Sequence, residues 1–414
     1  MSQRPNILLI TADDMNWDAV GAYGCPVGGT TPHIDQLAAA GMCFDHAHVT
    51  IAVCQPSRST LMTGRYPHRS GGEGFFPLRR PGVPILPEIL RAGGYRLGIL
   101  GKVGHSTPYA DFEWDMKWDM DDLGHGRSPH RYGHFAAAFL RQARAAGQPF
   151  FLMLNSHDPH RPFYGNDEPG WYEEGKGSAA AVPSHTFRPS EITTPGCLAD
   201  LPDVRVEISE YYNSVRRCDD TVGAALEALQ DSGEAENTIV IFLSDNGMAF
   251  PFAKTNCYLN STRTPWIMRW PGRIRAASRA AEHFISAIDL MPTLLDAAAL
   301  DAPPAMDGRS FGPLLHGQGQ NGRDLVFTQF HQTAGRRNYP MRCVQNRHCG
   351  YIRFGSQVRG ESIPLFNTRE GLSDIRGCQF NFLRSSVYES AIPAPGRKGE
   401  PSAVWRFLHW FFAA

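Results

Sequence analysis

Four short segments made up mainly of consecutive apolar residues constrain the fold of this chain more than any other feature of its sequence. They cover residues 6–11, 95–100, 149–154 and 238–243. Strands buried on both faces have such continuous apolar runs, whereas strands with one solvated face alternate between apolar and polar residues. Helical patterns separate these segments, and they run from Thr31 to Gly41, over 87–92 and over 208–229. The sequence therefore predicts an α/β fold in which helices cover both faces of a mostly parallel sheet.

The length of 414 residues is enough for one large α/β domain and a smaller partner. From about residue 321 the alternation of strands and helices weakens, and two further strands are predicted over 325–330 and 341–344. We therefore expect a main domain over 1–320 and a smaller C-terminal subdomain over 321–414. Residues 161–206 are rich in Pro, Gly and Ser, and we expect them to form a long surface excursion beside a substrate site.

Charge and hydropathy exclude several classes of protein. Forty basic and 41 acidic residues leave a net charge of −1, so nothing predicts a nucleic-acid partner. No apolar run reaches the roughly 18 residues that a membrane helix needs. The first strand begins near Asn6, which leaves no room for a signal peptide, and we expect a cytoplasmic protein without a membrane partner. The nine cysteines include no Cys-x-x-Cys pair, so neither a zinc site nor a disulfide framework is expected.

Polar clusters follow all four strands, at the ends where a parallel sheet binds its ligands. They are Asp13 and Asp14, Lys102, His157 and His160, and Asp245 and Asn246. Adjacent carboxylates repel each other unless a cation neutralises them, and hard cations prefer carboxylate and amide oxygens. We therefore predict a divalent cation, Ca²⁺ or alternatively Mg²⁺, bound by Asp13, Asp14, Asp245 and Asn246. Acidic residues also cap strands and helices without a metal, so either pair alone would support only that simpler interpretation.

The segment from Cys54 to Arg65 narrows the function. It contains Cys54-Gln-Pro-Ser-Arg58, followed by Thr63-Gly-Arg65, and it resembles the signature of the type I sulfatases. The resemblance implies an alkaline-phosphatase-like fold and a formylglycine-generating enzyme that oxidises Cys54 to formylglycine. The simpler alternative is a buried cysteine at the start of a helix. A thiolate suits soft metals and would be a poor ligand among hard oxygens, which favours conversion.

The resemblance extends from Asn6 to about Gly350. It covers the opening strand with its two aspartates, Gly101–His105 with one extra residue between Lys and His, residues 150–162, Ser244–Gly247 and Lys254. Residues 251–258 and 339–348 look like the sulfamidases, which are N-sulfoglucosamine sulfohydrolases. The resemblance therefore implies a small sulfated sugar as substrate, with N-sulfated glucosamine favoured.

The same resemblance implies a role for each charged residue that binds sulfate. Cys54, as hydrated formylglycine, would attack sulfur and would also be a ligand of the cation. Lys102 and Lys254 would bind the sulfate group and offset its charge. Arg58 would hold in place the oxygens of the nucleophile and the oxygens on the metal side of the site.

Two histidines are assigned to proton transfer by family position. His160, with Lys254 on the same side, would protonate the departing alcohol or amine, and His105 would accept a proton as sulfate is expelled. Five residues are candidates for contacts with the sugar, and each could instead be structural, paired with another of the set, or on the solvated surface: His157, Asp158, Arg161, His331 and Arg342.

The C-terminal end departs from the family pattern. The family usually closes with a Tyr-Asp-Leu-like segment, Asp-Pro-x-Glu and a final helix, and nothing after Tyr351 matches this. The chain instead ends in the aromatic-rich segment 404–414. We therefore expect an atypical or incomplete C-terminal subdomain, whose exposed apolar surface would favour either association, for example as a homodimer, or poor stability.

Two other functions remain open on the residues alone. The same fold and cation could hydrolyse phosphate or phosphonate monoesters or diesters, because the geometry of transfer is similar. Alternatively, the chain could be a non-catalytic sugar-binding protein in which Cys54 is never oxidised. The relative rates on sulfate and phosphate esters distinguish the first alternative from a sulfatase. Sugar binding without turnover would identify the second.

Overall fold

The computed structural model describes residues 4–78, 81–165, 181–319, 323–333 and 338–354. The strands are β1 (Asn6–Ala12), β2 (Met42–His48), β3 (Arg96–Leu100), β4 (Met116–Trp118), β5 (Phe150–Asn155), β6 (Thr238–Ser244), β7 (Trp266–Arg269), β8 (Ser278–Ser286), β9 (Val326–Gln332), β10 (Asn338–Gln345) and β11 (Gly350–Phe354). The helices are α1 (Pro32–Ala39), α2 (Cys54–Thr63), α3 (Pro67–Ser70), α4 (Leu86–Ala92), α5 (Val103–Ser106), α6 (Pro129–Ala146), α7 (Pro202–Asp231), α8 (Leu259–Thr262), α9 (Leu290–Ala297) and α10 (Gly312–Leu315).

One eight-stranded sheet forms the centre of the molecule, with the strand order β4-β3-β5-β1-β6-β7-β2-β8. Every pairing within it is parallel except those of β7, which runs antiparallel to both β6 and β2. The prediction of a mostly parallel sheet is confirmed. The four strands predicted from apolar runs are β1, β3, β5 and β6, and they lie side by side in the middle of the sheet.

Helices cover both faces of this sheet, as the continuous apolar strands predict. Along β1, Leu8 and Ile10 belong to a core that contains side chains of α6 and α7. Ile7 and Leu9 belong to a second core that contains side chains of α2, α4 and α9. Because successive side chains of a strand point to opposite faces, only a strand that is apolar at every position can supply both cores.

Two strands that the sequence did not predict, β2 and β8, carry polar residues within their span. β2 contains Asp45 and two histidines, and β8 lies at the sheet edge with several exposed residues. The helix α7 is 30 residues long and begins six residues before the predicted start at residue 208. The surface excursion therefore ends at residue 201, and its described residues, 161–165 and 181–201, hold one 3₁₀ turn, Pro189–Glu191.

A small antiparallel sheet, with the order β11-β10-β9, follows the main sheet in the chain. It includes both strands predicted beyond residue 321. Its apolar face, with Phe330, Met341 and Cys343, packs against Ile51 and Val53, which directly precede α2. The aromatic-rich tail over 404–414 lies outside the described residues, and the domain boundary at residue 320 stays a prediction. Within the described ranges, no helix combines the length and the apolarity needed to span a lipid bilayer.

Candidate active site

The carboxyl ends of the four central strands meet at one edge of the sheet, and their polar residues contact each other there. Asp13 after β1 forms an ion pair with Lys102 after β3. The backbone N–H of Asp14 donates to Asp245 Oδ1 after β6 at 3.1 Å. Asp14 and Lys102 have φ angles of 69° and 50°, in the left-handed region that non-glycine residues rarely adopt. Such strained backbone is concentrated at functional sites.

Three carboxylates lie together at this edge without exposure to solvent. One oxygen of each of Asp13, Asp14 and Asp245 lies within 4.8 Å of the others. Burial opposes ionisation of Asp13, but Lys102 and the neighbouring cationic side chains hold its pKa well below the usual value. Burial and the charge of Asp13 raise the pKa of Asp245 to about 7. Carboxylates crowded in this way favour a bound cation.

The side-chain oxygen of Asn246 is a fourth possible ligand for a hard divalent cation at this edge. Asn246 Nδ2 donates to Asp14 Oδ1 at 2.7 Å, so the amide is held against the carboxylates. Asn246 Oδ1 is buried and has no hydrogen-bond partner among the described residues. A buried oxygen of this kind needs a partner. The three carboxylates and this amide oxygen form the all-oxygen set that Ca²⁺ or Mg²⁺ prefers.

Cys54 is the first residue of α2, and its side chain points into the carboxylate cluster. Cys54 Sγ donates to Asp13 Oδ1 at 3.3 Å, and Lys254 Nζ lies 3.6 Å from the sulfur. Donor atoms of Cys54, Asp13 and His160 also lie within 4.8 Å of one another. Burial and the charge of Asp13 raise the pKa of Cys54 well above its usual value. The thiol therefore stays protonated, and it would be a weak nucleophile in this place.

Arg58 lies one turn further along α2 and is fully buried. Its Nε and Nη2 atoms lie 2.9 Å and 2.8 Å from Asp245 Oδ2. Its Nη1 atom donates to Thr11 Oγ1 and to Asn155 Oδ1, at 2.6 Å in both cases. Arg58 therefore orients and neutralises Asp245, one of the oxygens on the metal side, and its contact with the nucleophile at position 54 stays a prediction. Lys254 is the cation that contacts Cys54.

The two histidines that are assigned to proton transfer are both half-buried. His160 Nδ1 lies 2.6 Å from the carbonyl oxygen of Arg161. A carbonyl can only accept, so Nδ1 carries a proton and Nε2 is left to face Asp14 Oδ2, at 3.9 Å. Burial lowers the pKa of His160 to about 4. Burial and the charge of Lys102 likewise lower the pKa of His105 to about 4, so His105 is neutral near pH 7 and can accept a proton.

Two of the five candidates for sugar contacts have structural partners. His157 Nε2 accepts a hydrogen bond from the backbone N–H of Lys102 at 3.2 Å, so this ring orients the segment that carries Lys102. Asp158 has no exposed surface and forms ion pairs with Arg127 and Arg217. Asp158 therefore pairs with these two arginines rather than with Arg161.

The other three candidates lie nearer the surface. Arg161 forms an ion pair with Glu207, and its guanidinium donates to the backbone oxygen of Ala249 at 3.2 Å. His331 Nδ1 lies 3.3 Å from Glu73 Oε1, beside β9. Burial lowers the pKa of Arg342 of β10, and the negative charge of Glu73 opposes this effect. A surface role for these residues and a role in sugar binding both remain consistent with the geometry.

Several residues of this site were not predicted from the sequence. Thr11 and Asn155, which bind Arg58, lie inside the two apolar strands, and their polar side chains in an apolar run were the available signal. Arg127, Arg217 and Glu73 belong to no recognised motif. Their role depends on contacts between segments that are far apart in the chain, for which the sequence pattern carries no signal.

Comparisons with known proteins agree with this geometry. The family model "Sulfatase" matches residues 5–300, and the model "N-sulphoglucosamine sulphohydrolase, C-terminal" matches residues 248–370. Human N-sulphoglucosamine sulphohydrolase is 31% identical over 369 residues, which cover 83% of this chain and 72% of the human protein.

Solved structures show the same fold at lower identity. A 2-O GAG sulfatase superimposes with a TM-score of 0.66 and 22% identity, covering 85% of this chain and 83% of that protein. The phosphonate monoester hydrolase of Agrobacterium radiobacter superimposes with a TM-score of 0.65 and 21% identity, covering 85% and 87% of the two chains. The arrangement of helices around the central sheet is thus shared with enzymes of both kinds.

Proposed function

The chain belongs to the sulfatase family as a sulfamidase-like hydrolase of sulfuric esters, and we propose that it removes sulfate from a sulfated sugar by means of Cys54. N-sulfated glucosamine is the favoured substrate, because the C-terminal part of the chain matches the model of the enzymes that act on it. One observation carries the proposal: Cys54 lies at a buried helix start, between the carboxylate cluster and Lys254. A sulfate group that approached Cys54 would contact the positive charge of Lys254 and of any cation held by the carboxylates.

Two lysines are placed to bind the anionic sulfate. Burial disfavours the ammonium form, but Asp14 raises the pKa of Lys254, and Asp13 raises that of Lys102. Both side chains are therefore charged at neutral pH. Lys254 Nζ lies 2.6 Å from Asp14 Oδ1, so a cation that neutralised the carboxylates would leave the lysines to the sulfate oxygens.

Three carboxylates and Asn246 would hold a Ca²⁺ ion, which, when bound, would polarise the sulfate group. Formylglycine at position 54 would supply an oxygen nucleophile in place of the protonated thiol. This modification suits the site because an oxygen belongs with the hard donors that surround it. Arg58 favours the ionised form of Asp245 and holds the carboxylate in place through its two contacts with it.

Two histidines would move the protons of the reaction. His160 donates a proton from Nε2 to the departing oxygen or nitrogen, so that the bond to sulfur breaks and a neutral alcohol or amine leaves. In the free protein the pKa of His160 is about 4, and the negative charge of the bound substrate favours the protonated form. His105, neutral at pH 7, accepts the proton that leaves the nucleophile as sulfate is released. Loss of this proton from the free hydroxyl of hydrated formylglycine would break the C–O bond to sulfate and re-form the aldehyde, and water would add to the aldehyde to restore the hydrate.

The test combines the chemistry of position 54 with turnover. The protein is produced with a formylglycine-generating enzyme, and peptides that span position 54 are analysed by mass spectrometry. No Lys or Arg lies between Pro5 and Ser57, so a second protease must shorten the tryptic peptide. Replacement of sulfur by oxygen with the loss of two hydrogens, together with reaction with an aldehyde reagent, would identify formylglycine.

Initial rates are then compared on 4-nitrophenyl sulfate, 4-nitrophenyl phosphate, a phenyl phosphonate ester and N-sulfoglucosamine, with Cys54→Ala as the control. We expect turnover of the sulfated compounds that depends on both formylglycine and Ca²⁺. Faster turnover of phosphate or phosphonate esters would replace the sulfatase proposal by the esterase alternative. An unmodified thiol with sugar binding but no turnover would favour the non-catalytic protein.

A further inference from the structure

The loop that carries His160 is attached to the rest of the molecule through a buried clamp formed by Arg127, Asp158 and Arg217. Arg217 Nε donates to Asp158 Oδ2 at 2.7 Å, and its Nη2 donates to Oδ1 at 2.9 Å. Arg127 Nη1 donates to the same Oδ1. Relative exposure is 0% for Asp158, 6% for Arg127 and 1% for Arg217, so solvent does not screen these charges.

Arg127 connects this clamp directly to the backbone of His160. Its Nη2 donates to the carbonyl oxygen of His160 at 2.9 Å, while Nη1 binds Asp158. The planar guanidinium therefore spans two residues of the loop in one fixed geometry. The backbone N–H of His160 donates to the carbonyl of His157 at 3.1 Å, which fixes the other end of the residue.

The same loop also contacts the carboxylate cluster. The backbone N–H of Asp13 donates to the carbonyl oxygen of Asp158 at 3.1 Å. A displacement of the loop would thus change the distance between His160 and Asp14, whose oxygen lies 3.9 Å from Nε2. Proton transfer is sensitive to such a change, because the donor must come within hydrogen-bond reach of the accepting atom.

The two arginines come from separate parts of the fold. Arg127 precedes α6, and its backbone N–H donates to the carbonyls of Leu123 and Gly124. Arg217 lies in the middle of α7. Removal of Asp158 would leave two buried positive charges without their partner, whereas removal of Arg127 leaves the pair of Asp158 and Arg217 intact. Arg127 is therefore the residue at which positioning can be tested with the least damage to folding.

We propose that Arg127 is a positioning residue for proton transfer to the leaving group, because it fixes the backbone of His160 against the buried Asp158. Arg127 does not itself touch the reacting atoms. The proposal rests on the proposed function, since it assigns to Arg127 an effect on the step in which His160 protonates the leaving group.

The test measures how the rate depends on the leaving group. kcat/KM is determined for the wild type, Arg127→Gln and Arg127→Lys on 4-nitrophenyl sulfate, whose anion leaves readily, and on phenyl sulfate, which needs more help from a proton donor. General acid catalysis contributes about 10²–10⁴-fold, so Arg127→Gln should lose roughly 10–100-fold more on phenyl sulfate than on 4-nitrophenyl sulfate. Arg127→Lys keeps a charged donor and should recover part of that difference.

The control is Arg131→Gln, which changes an exposed arginine of α6 and should leave both rates unchanged. An equal loss on both substrates, or no loss on either, would show that Arg127 has a structural role or none, and would overturn the proposal. If Arg127→Gln does not fold, the same comparison with Arg127→Lys decides in the same way. A wild type that hydrolyses neither these sulfate esters nor N-sulfoglucosamine would refute the proposed function, and this inference with it.

Discussion

Replacement of Arg58 by methionine should destabilise the protein strongly, because it leaves a buried carboxylate without its partner. Arg58 and Asp245 have no exposed side-chain surface, and the guanidinium contacts Asp245 Oδ2 through Nε and Nη2. Two further hydrogen bonds, to Thr11 and Asn155, are lost with it. Methionine has a similar length and fills most of the same volume, so the change removes charge and hydrogen bonds more than packing.

The size of the effect follows from these contacts. Removal of one partner from a buried ion pair costs about 3–5 kcal/mol, because the remaining charge is neither solvated nor paired. We therefore expect Arg58→Met to lower the free energy of unfolding by ~4 kcal/mol. The double variant Arg58→Met/Asp245→Asn removes the unpaired charge as well, and it should recover at least half of that loss.

Urea denaturation at pH 8.5, where Asp245 with its pKa of about 7 is ionised beside Arg58, measures these differences. The experiment is carried out with a chelator, so that no divalent cation replaces the missing positive charge, and without the converting enzyme, so that the state of Cys54 is the same in every variant. Arg188→Met is the control, since Arg188 pairs with Glu191 at the surface, and little change is expected. A double variant no more stable than Arg58→Met would refute the reasoning, because it would show that an unpaired Asp245 is not the cause of the loss.

Three further predictions concern other parts of the site and the core. Burial lowers the pKa of His48 to about 3. As the pH drops below about 6.5, the unfolded chain binds a proton at this histidine while the folded protein does not. The free energy of unfolding should therefore fall, by ~2 kcal/mol at pH 5. His48→Gln should reduce this slope in urea titrations at several pH values, whereas His130→Gln, at an exposed position, should leave it unchanged. Gly247→Ala would place a Cβ atom 1.8 Å from a backbone oxygen, and it should cost about 1–3 kcal/mol or more, while Gly104→Ala, which has open space, should cost little. Ca²⁺ should raise the Tm of the wild type, and this rise should shrink in Asn246→Ala; an equal rise in both would exclude the amide as a ligand.

The local pattern of the chain determined the centre of the fold. The four apolar runs correspond to β1, β3, β5 and β6, since a strand that is apolar at every position can only be buried on both faces. Their polar ends had to meet at one edge, because parallel strands present their carboxyl ends together. The cysteine segment was recognised from its residues alone, and the structure places Cys54 beside the carboxylates that the strand ends supply.

Two strands of the main sheet, β2 and β8, were not predicted because they are not continuously apolar. β2 and β8 carry charged or polar residues, and their place in the sheet depends on pairing rather than on apolar content. The antiparallel direction of β7 follows from the path of the chain after β6. A local pattern cannot determine such choices, since they depend on hydrogen bonds with strands that are distant in the sequence.

Only the tertiary structure decided which charges are partners. Arg58 pairs with Asp245, which lies 187 positions away in the chain, and Asp158 pairs with Arg127 and Arg217 rather than with the nearby Arg161. The sequence determined that Asp245 and Asp158 would lie near the sheet edge, because they closely follow predicted strands. It could not determine their pairing, since an ion pair in a buried site is set by distances of a few ångströms between segments that only the folded chain brings together.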